Sequence, residues 1–296
     1  MPPWTRASVS GDVDAASAGV IAMGRKAQLG HGSRWNVART IGLTSAVLVL
    51  LVAVLGPSVA PYDPFAITGG SLDAPSRAHA MGTDALGRDV YSAVLYGART
   101  SLLIAAAVSA IAMLVGTAIG LVGGYQGDWV DDVLSHVTEL FQVIPRFFFV
   151  ITTIAMAGPG AGKLILVIGL TSWPTMARVV RGETIATRHR EFVLAAQALG
   201  ASPWRIMWRQ LLPNVLPSTL AALGPLFGQV LLLEATLGFL GLGDPATMSW
   251  GMMAAQAQGF LRAAWWLAFY PGLAITLAVL GVNLLADSWA PSSAAV

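Results

Sequence analysis

Chemistry needs side chains that converge, and in this chain the reactive types are few and scattered. There is no cysteine, which excludes disulfides, thiolate nucleophiles and Cys-ligated metals. His31, His79, His136 and His189 are too widely spread for a metal-ligand spacing to join them. The run AGPGAGKL at 157–164 resembles a phosphate-binding loop only superficially. Ala157 stands where the first glycine is needed and Leu164 where a Ser or Thr is needed, and no strand-like run precedes it. No catalytic residue and no nucleotide site are therefore expected in this chain.

The ionisable residues that stand out do so by their surroundings. Glu139 and Glu234 interrupt apolar runs, where a carboxylate is costly and often functional, so both are candidate gate or pathway residues. For Glu234 the competing reading is a structural carboxylate that pairs with loop amides. Arg146 is either a pathway residue or a cation that snorkels to the membrane interface. Asp84, Arg88 and Asp89 lie close together and are expected to form an ion-pair cluster that fixes a loop.

The elements that must position these residues are apolar helices. The 296 residues are 55% hydrophobic and 11% charged, with a mean hydropathy of +0.68, the profile of a polytopic helical membrane protein. A formal charge of +2 makes no case for a nucleic-acid partner. Crossing a bilayer core takes about 20 mostly apolar residues. Six stretches qualify: 41–60, 101–125, 133–156, 164–180, 215–238 and 264–287. The third is interrupted by Glu139, Pro145 and Arg146, and Pro145, Pro174, Pro217 and Pro225 predict kinks. Gly116, Gly120 and Gly124 form a small-xxx-small face on the second span, expected to pack within the chain.

Lys and Arg in short loops mark the cytoplasmic side. Arg6, Arg25, Lys26, Arg34 and Arg39 place residues 1–38 there as an N-terminal tail, and an even number of spans returns the C-terminal tail, 288–296, to the same side. The tail has no apolar run suited to a signal peptide. The 58–60 triplet Ser-Val-Ala loosely resembles a cleavage site, but the run before it is long, so the first span (39–62) is expected to be retained. Residues 63–100 form an extracytoplasmic loop in which Val90, Val94 and Leu95 suggest an interfacial amphipathic helix. Residues 101–287 make the membrane core.

The polar interruption at 176–213 carries Arg178, Arg181, Arg188, Arg190, Arg205 and Arg209, which places it in the cytoplasm. Its chemistry describes two short helices and a corner. Residues 191–199 are helix-forming, Gly200 suits a left-handed cap, Ser202 an N-cap and Pro203 the first helical position. Trp204, Met207, Trp208 and Leu211 are spaced as one apolar stripe, and Pro213 is expected to mark the passage into the next span. The first helix is apolar almost all round, so either this chain or a partner must cover it.

Here the residues carry a resemblance. EFVLAAQALGAS at 191–202, followed by Leu212 and Pro213, resembles the EAA loop of permease subunits in binding-protein-dependent ABC importers. Glu191, Ala195, Ala196, Gly200, Ala201, Ser202, Leu212 and Pro213 are the coupling positions it implies, within a coupling loop at 181–213. Leu194 departs from it, because the motif's acidic residue normally stands there. GTDALGRD, with Gly82, Thr83, Asp84, Gly87, Arg88 and Asp89, followed by YGARTSL, resembles the N-terminal portion of C-type permeases of dipeptide, oligopeptide and nickel importers. GFLGLGDPATMSWG at 238–251, SWPTMARVVRGET at 172–184 and ELFQVIPRFFFVI at 139–151 are similar to stretches of the same subfamily in the same order. Asn283 and Asp287 match as well, whereas the basic C-terminal tail of that subfamily is replaced by SWAPSSAAV.

The resemblance implies an all-α type I ABC importer permease with six transmembrane helices in a bacterial inner membrane. It implies a homologous second permease, two ATPase subunits that hold ATP and Mg, an extracytoplasmic binding protein, and no cofactor in this chain. The implied cargo is peptide, with nickel as the alternative. A rival of another class is a proton-coupled secondary transporter acting through Glu139 or Glu234, but the internal repeat usual in such transporters is not evident.

Overall fold

A computed structural model describes residues 40–143 and 145–289, so the expected N-terminal tail and most of the C-terminal tail lie outside the described residues. Ten helices follow: α1 Thr40–Val59, α2 Val90–Gln126, α3 Asp128–Val143, α4 Arg146–Ala157, α5 Ala161–Arg188, α6 Glu191–Ala198, α7 Pro203–Ile206, α8 Leu212–Phe239, α9 Trp250–Ala257 and α10 Trp266–Asp287. Among the described residues, extended structure is limited to two isolated bridges, Ile67 with Arg88 and Thr83 with Asp89.

Among the described residues five helices are long and apolar enough to cross a membrane, and a sixth span arises if α3 and α4, bent by 69° at their junction, count as one. Pro145 sits at that junction with an extended backbone, as its missing N–H and its ring dictate. Pro174, Pro217, Pro225 and Pro271 instead lie inside continuous helices. Neighbouring helices and local adjustments can satisfy the carbonyls that such prolines free.

Two expected boundaries change. The interfacial helix near Val90 is not separate: Val90 begins α2, which runs unbroken to Gln126. Asp89 caps its start and accepts from the Ser92 N–H at 2.8 Å, so the helix begins within the loop and not at the membrane. Nor does Pro213 divide two elements. From Pro203 the chain passes through a π turn, Met207–Leu211, into α8, giving one apolar rod of 37 residues to Phe239. Pro213 lies inside this rod, where its missing N–H leaves one gap in the backbone ladder.

The bundle is organised by close backbone contact. A Cβ placed on Gly116 would lie 2.6 Å from the Met176 Cβ, one on Gly120 2.5 Å from the Ala177 carbonyl oxygen, and one on Gly124 2.7 Å from the Thr184 Cβ. α2 and α5 are therefore parallel and joined along a glycine seam within the chain. α10 runs back along α8, with Gly224 against Ala286 and Gly228 against Val279. Val108, Ala112, Ile168, Met176, Leu226 and Leu231 fill the space between these pairs. α1 lies at the edge, its Gly42 on Leu284 and its Gly56 on Leu95, with most of its apolar surface exposed.

The seam tolerates no side chain. Gly120→Val forces backbone apart from backbone and is expected to cost about 1–3 kcal/mol or more, read as a lowered thermal midpoint of the purified chain. Gly162→Ala, which would meet nothing within 4 Å, should leave the midpoint nearly unchanged.

Candidate functional site

α5 ends in a set of arginines that fix its last turns. Arg181 embraces Asp131 of α3 with two N–H groups, one at 2.6 Å from Oδ2. Arg188 donates to the Gly124 carbonyl at 3.0 Å, tying the end of α5 to the end of α2. The chain then turns at Arg190 and His189 into α6.

α6 closes as a Schellman motif. The Gly200 N–H bonds the Gln197 carbonyl at 2.9 Å and the Ala201 N–H bonds the Ala196 carbonyl at 3.1 Å. Gly200 has φ +76°, the left-handed conformation that a residue without Cβ adopts most readily. Ser202 accepts from the Arg205 N–H and Pro203 opens α7, as expected from their types. The corner is thus locally encoded and rigid.

Its underside is anchored. Val193, Ile206, Met207 and Leu211 are buried with Leu121, Val180 and Val215, and Ala196, Ala201 and Leu212 pack against them. The expected four-residue stripe does not form. The π turn places Met207 and Leu211 inward, while Trp204 and Trp208 meet edge to face on the outer side with centroids 5.3 Å apart. A π turn inserts a residue into the helix and so rotates the faces that a regular period predicts.

The upper side is an apolar surface that none of the described residues covers. Leu199 is 88% exposed, Trp204 65%, Trp208 49% and Leu194 48%. Glu191, Ala195, Gly200, Ser202 and Pro213 are exposed on the same segment, as are Arg205 and Arg209. Of the motif residues, then, three reach the anchoring cluster and five remain at the surface.

At the opposite end the loop before α2 is packed. Gly82 and Gly87 have φ +75° and +78°, and a Cβ on Gly87 would lie 2.4 Å from the Gly69 carbonyl oxygen. Thr83 is fully buried, donating to the Gly70 carbonyl at 2.7 Å and accepting from the Asp73 N–H at 2.8 Å. Asp84 accepts from the Leu86 and Arg88 N–H groups. The expected three-residue ion cluster is corrected. Asp84 and Arg88 approach only to 3.9 Å, and Asp89 turns away to His79 Nδ1 at 2.9 Å and to the Ser92 hydroxyl at 2.7 Å. The carboxylate lies between the imidazole and the hydroxyl, so this is not the serine–histidine–carboxylate order of a nucleophile. Sequence reasoning missed His79 and Ser92, although an Asp three residues before a Ser at a helix start is a capping signal.

Glu234 is 3% exposed, accepting from the Ser101 hydroxyl of α2 at 3.0 Å, and the same hydroxyl accepts from the Trp250 N–H of α9 at 3.2 Å. It joins α8, α2 and α9. Glu139 is exposed on α3 at a cavity of about 370 Å³, near Arg178 and Arg181. Among the described residues no group of three metal-ligating side chains converges. Lys163 of the glycine-rich run hydrogen-bonds the carbonyls that end α4.

Comparison with known proteins adds to this geometry. A family model described as binding-protein-dependent transport system inner membrane component matches residues 116–292. A dipeptide transport system permease protein DppC of Alkalihalophilus pseudofirmus is 35% identical, over 85% of this chain and 84% of that one. An oligopeptide transport system permease protein OppC of Bacillus subtilis is 31% identical, over 95% and 92%. A di/tripeptide transport system permease protein DppC of Pseudomonas aeruginosa is 34% identical, over 83% and 84%. Among solved structures, an inward-facing form of the MetNI methionine ABC transporter aligns with a TM-score of 0.57 at 18% identity, over 66% of this chain and 93% of that one. The helical core therefore has the ABC importer type I permease fold.

Asp89→Ala would strand the His79 ring nitrogen, the Ser92 hydroxyl and the first turn of α2 together. A loss of roughly 2–3 kcal/mol is expected, seen as a lower thermal midpoint and faster proteolysis between 60 and 89.

Proposed function

The chain belongs to the family of inner membrane components of binding-protein-dependent transport systems, and from that premise we propose that it is the permease subunit of an ATP-driven peptide importer. It is a multi-pass membrane protein that performs no catalysis of its own. A homologous permease completes the pathway, and two ATPase subunits or domains bind ATP and Mg²⁺. A binding protein on the extracytoplasmic side delivers peptide. The arginine-rich end faces the cytoplasm, in accord with the bias of Lys and Arg, and both termini lie on that side in a bacterial inner membrane.

The observation that carries this reading is the uncovered apolar surface on α6 and α7. An exposed cluster of Leu194, Leu199, Trp204 and Trp208, rimmed by Arg205 and Arg209, is costly unless a partner covers it. Aromatic anchors surrounded by arginine are the composition of protein–protein contact centres. The Schellman corner holds the surface rigid, so closure of the ATPases would move it as a body. Leu194 occupies the position of the motif's acidic residue, and on this surface it adds an apolar contact where relatives of the motif place a charge.

Glu191, Ala195, Ala196, Gly200, Ala201, Ser202, Leu212 and Pro213 serve coupling by shaping this surface within 181–213. The loop motif from Gly82 to Asp89, on the same reading, holds the extracytoplasmic loop in shape from within. Glu234 acts at the outer gate by tying α8 to α2 and α9, and Glu139 lies at the inner mouth of the pathway.

Two experiments test the proposal. Affinity purification of the tagged chain from native membranes should recover a second permease, ATPases and a binding protein carrying peptide. Recovery of the chain alone, competent for uptake driven by protons without ATP, would contradict it. Leu199→Asp, at a position 88% exposed among the described residues, should leave membrane levels unchanged. It should reduce ATPase recovery and ATP-driven uptake at least about tenfold.

A further inference from the structure

Arg146 is a half-buried cation at the head of an apolar helix. It begins α4 at the break of the bent pair, and its guanidinium reaches across to Thr175 of α5 at 3.4 Å. Thr175 lies at the inner end of the apolar part of α5, one residue before the Arg-rich segment. The side chain therefore turns toward α5.

The other arginines of α5 show what a structural guanidinium looks like here. Arg181 is held by both oxygens of Asp131, and Arg188 by a backbone carbonyl. Arg146 has a single long bond to a hydroxyl, and among the described residues no carboxylate stands within ion-pair reach of it. Guanidinium carries five donors, so most of the hydrogen-bonding capacity of Arg146 is unspent.

Arg146 borders a cavity of about 430 Å³ whose polar lining is Gln142, Arg146, Thr171, Thr175 and Arg178, set among Phe141, two prolines and Val179. Thr171, Thr175 and Arg178 lie on one face of α5 at helical spacing. Arg178 is steadied by the Gln142 side chain and leaves its charge in the same cavity. Glu139 borders the adjoining cavity and makes no ion pair with either arginine. Among the described residues neither Arg146 nor Arg178 has an ion pair, and Arg178 also borders the cavity of Glu139.

We propose that Arg146 and Arg178 form an anion station in the translocation pathway that takes the C-terminal carboxylate of the transported peptide. A planar guanidinium matches a carboxylate with two parallel hydrogen bonds, and one left without an ion pair beside a cavity is free to take a transient partner. The station rests on the peptide-importer reading above. It also sets a cargo preference, because two guanidinium groups repel a free divalent cation.

The test compares trialanine with its C-terminal amide. Uptake is measured in proteoliposomes holding the complete transporter, its binding protein and ATP, and the binding protein's own affinity for each peptide is divided out. The wild-type chain should favour the free acid by about tenfold or more. Arg146→Met should abolish the preference by slowing free-acid uptake alone, and Arg146→Lys should retain part of it. Recovery of the ATPases with each variant reports assembly. If Arg146→Met slows both peptides equally, or neither, the station is refuted. If the wild-type transporter takes up both peptides without preference, the station falls and the importer reading stands. If the assembled, ATP-hydrolysing wild type takes up neither, the peptide reading falls and takes the station with it.

Discussion

The seam between α2 and α5 is the constraint from which the rest follows. Lipid provides little hydrophobic drive between helices, so association depends on close packing. Gly116, Gly120 and Gly124 let the α2 backbone rest on Met176, Ala177 and Thr184. That contact fixes the direction and rotation of α5. Rotation in turn decides that Thr171, Thr175 and Arg178 face the cavity by α3 and α4, and that Arg188 can reach the end of α2. Where α5 ends, α6 and α7 must begin. The position of the exposed apolar surface is thus inherited from three glycines several turns away.

A second consequence concerns how the two ends communicate. The rod from Pro203 to Phe239 joins the exposed corner to Glu234 and its serine partner without a loop between them. On the proposed function, a displacement of α6 and α7 has two rigid routes into the membrane, α5 and this rod. The break at Pro145 lies between α3 and α4, beside Arg146 and the cavity. The bent pair is therefore placed to change shape while the seam holds.

Local encoding explains what was legible from sequence. Gly200, Ser202 and Pro203 are caps, and caps are decided by neighbours a few residues away, so the corner was readable. The apolar spans were readable from length alone, and the glycine face from its four-residue period. What was not readable depends on partners distant in sequence. Asp89 prefers His79 and Ser92 to Arg88 because the loop folds back on α2, and no spacing rule reports that. α2 absorbs the segment at Val90 because its cap lies there and not at the membrane boundary. The π turn at Met207–Leu211 leaves no local signature and overturns the regular period of the stripe. Arg146 could be singled out by depth, yet its lack of a carboxylate partner is a property of the packed bundle.

The central claim is that the surface of α6 and α7 is covered by the ATPases in the working transporter. Because the chain has no cysteine, Leu199→Cys supplies a single thiol at its most exposed position. Its rate of reaction with a maleimide can be followed in the permease alone and in the complete complex, with and without ATP. The account predicts rapid labelling of the permease alone and strong protection once the ATPases are bound. Equal labelling rates in an assembled, transport-competent complex would contradict it.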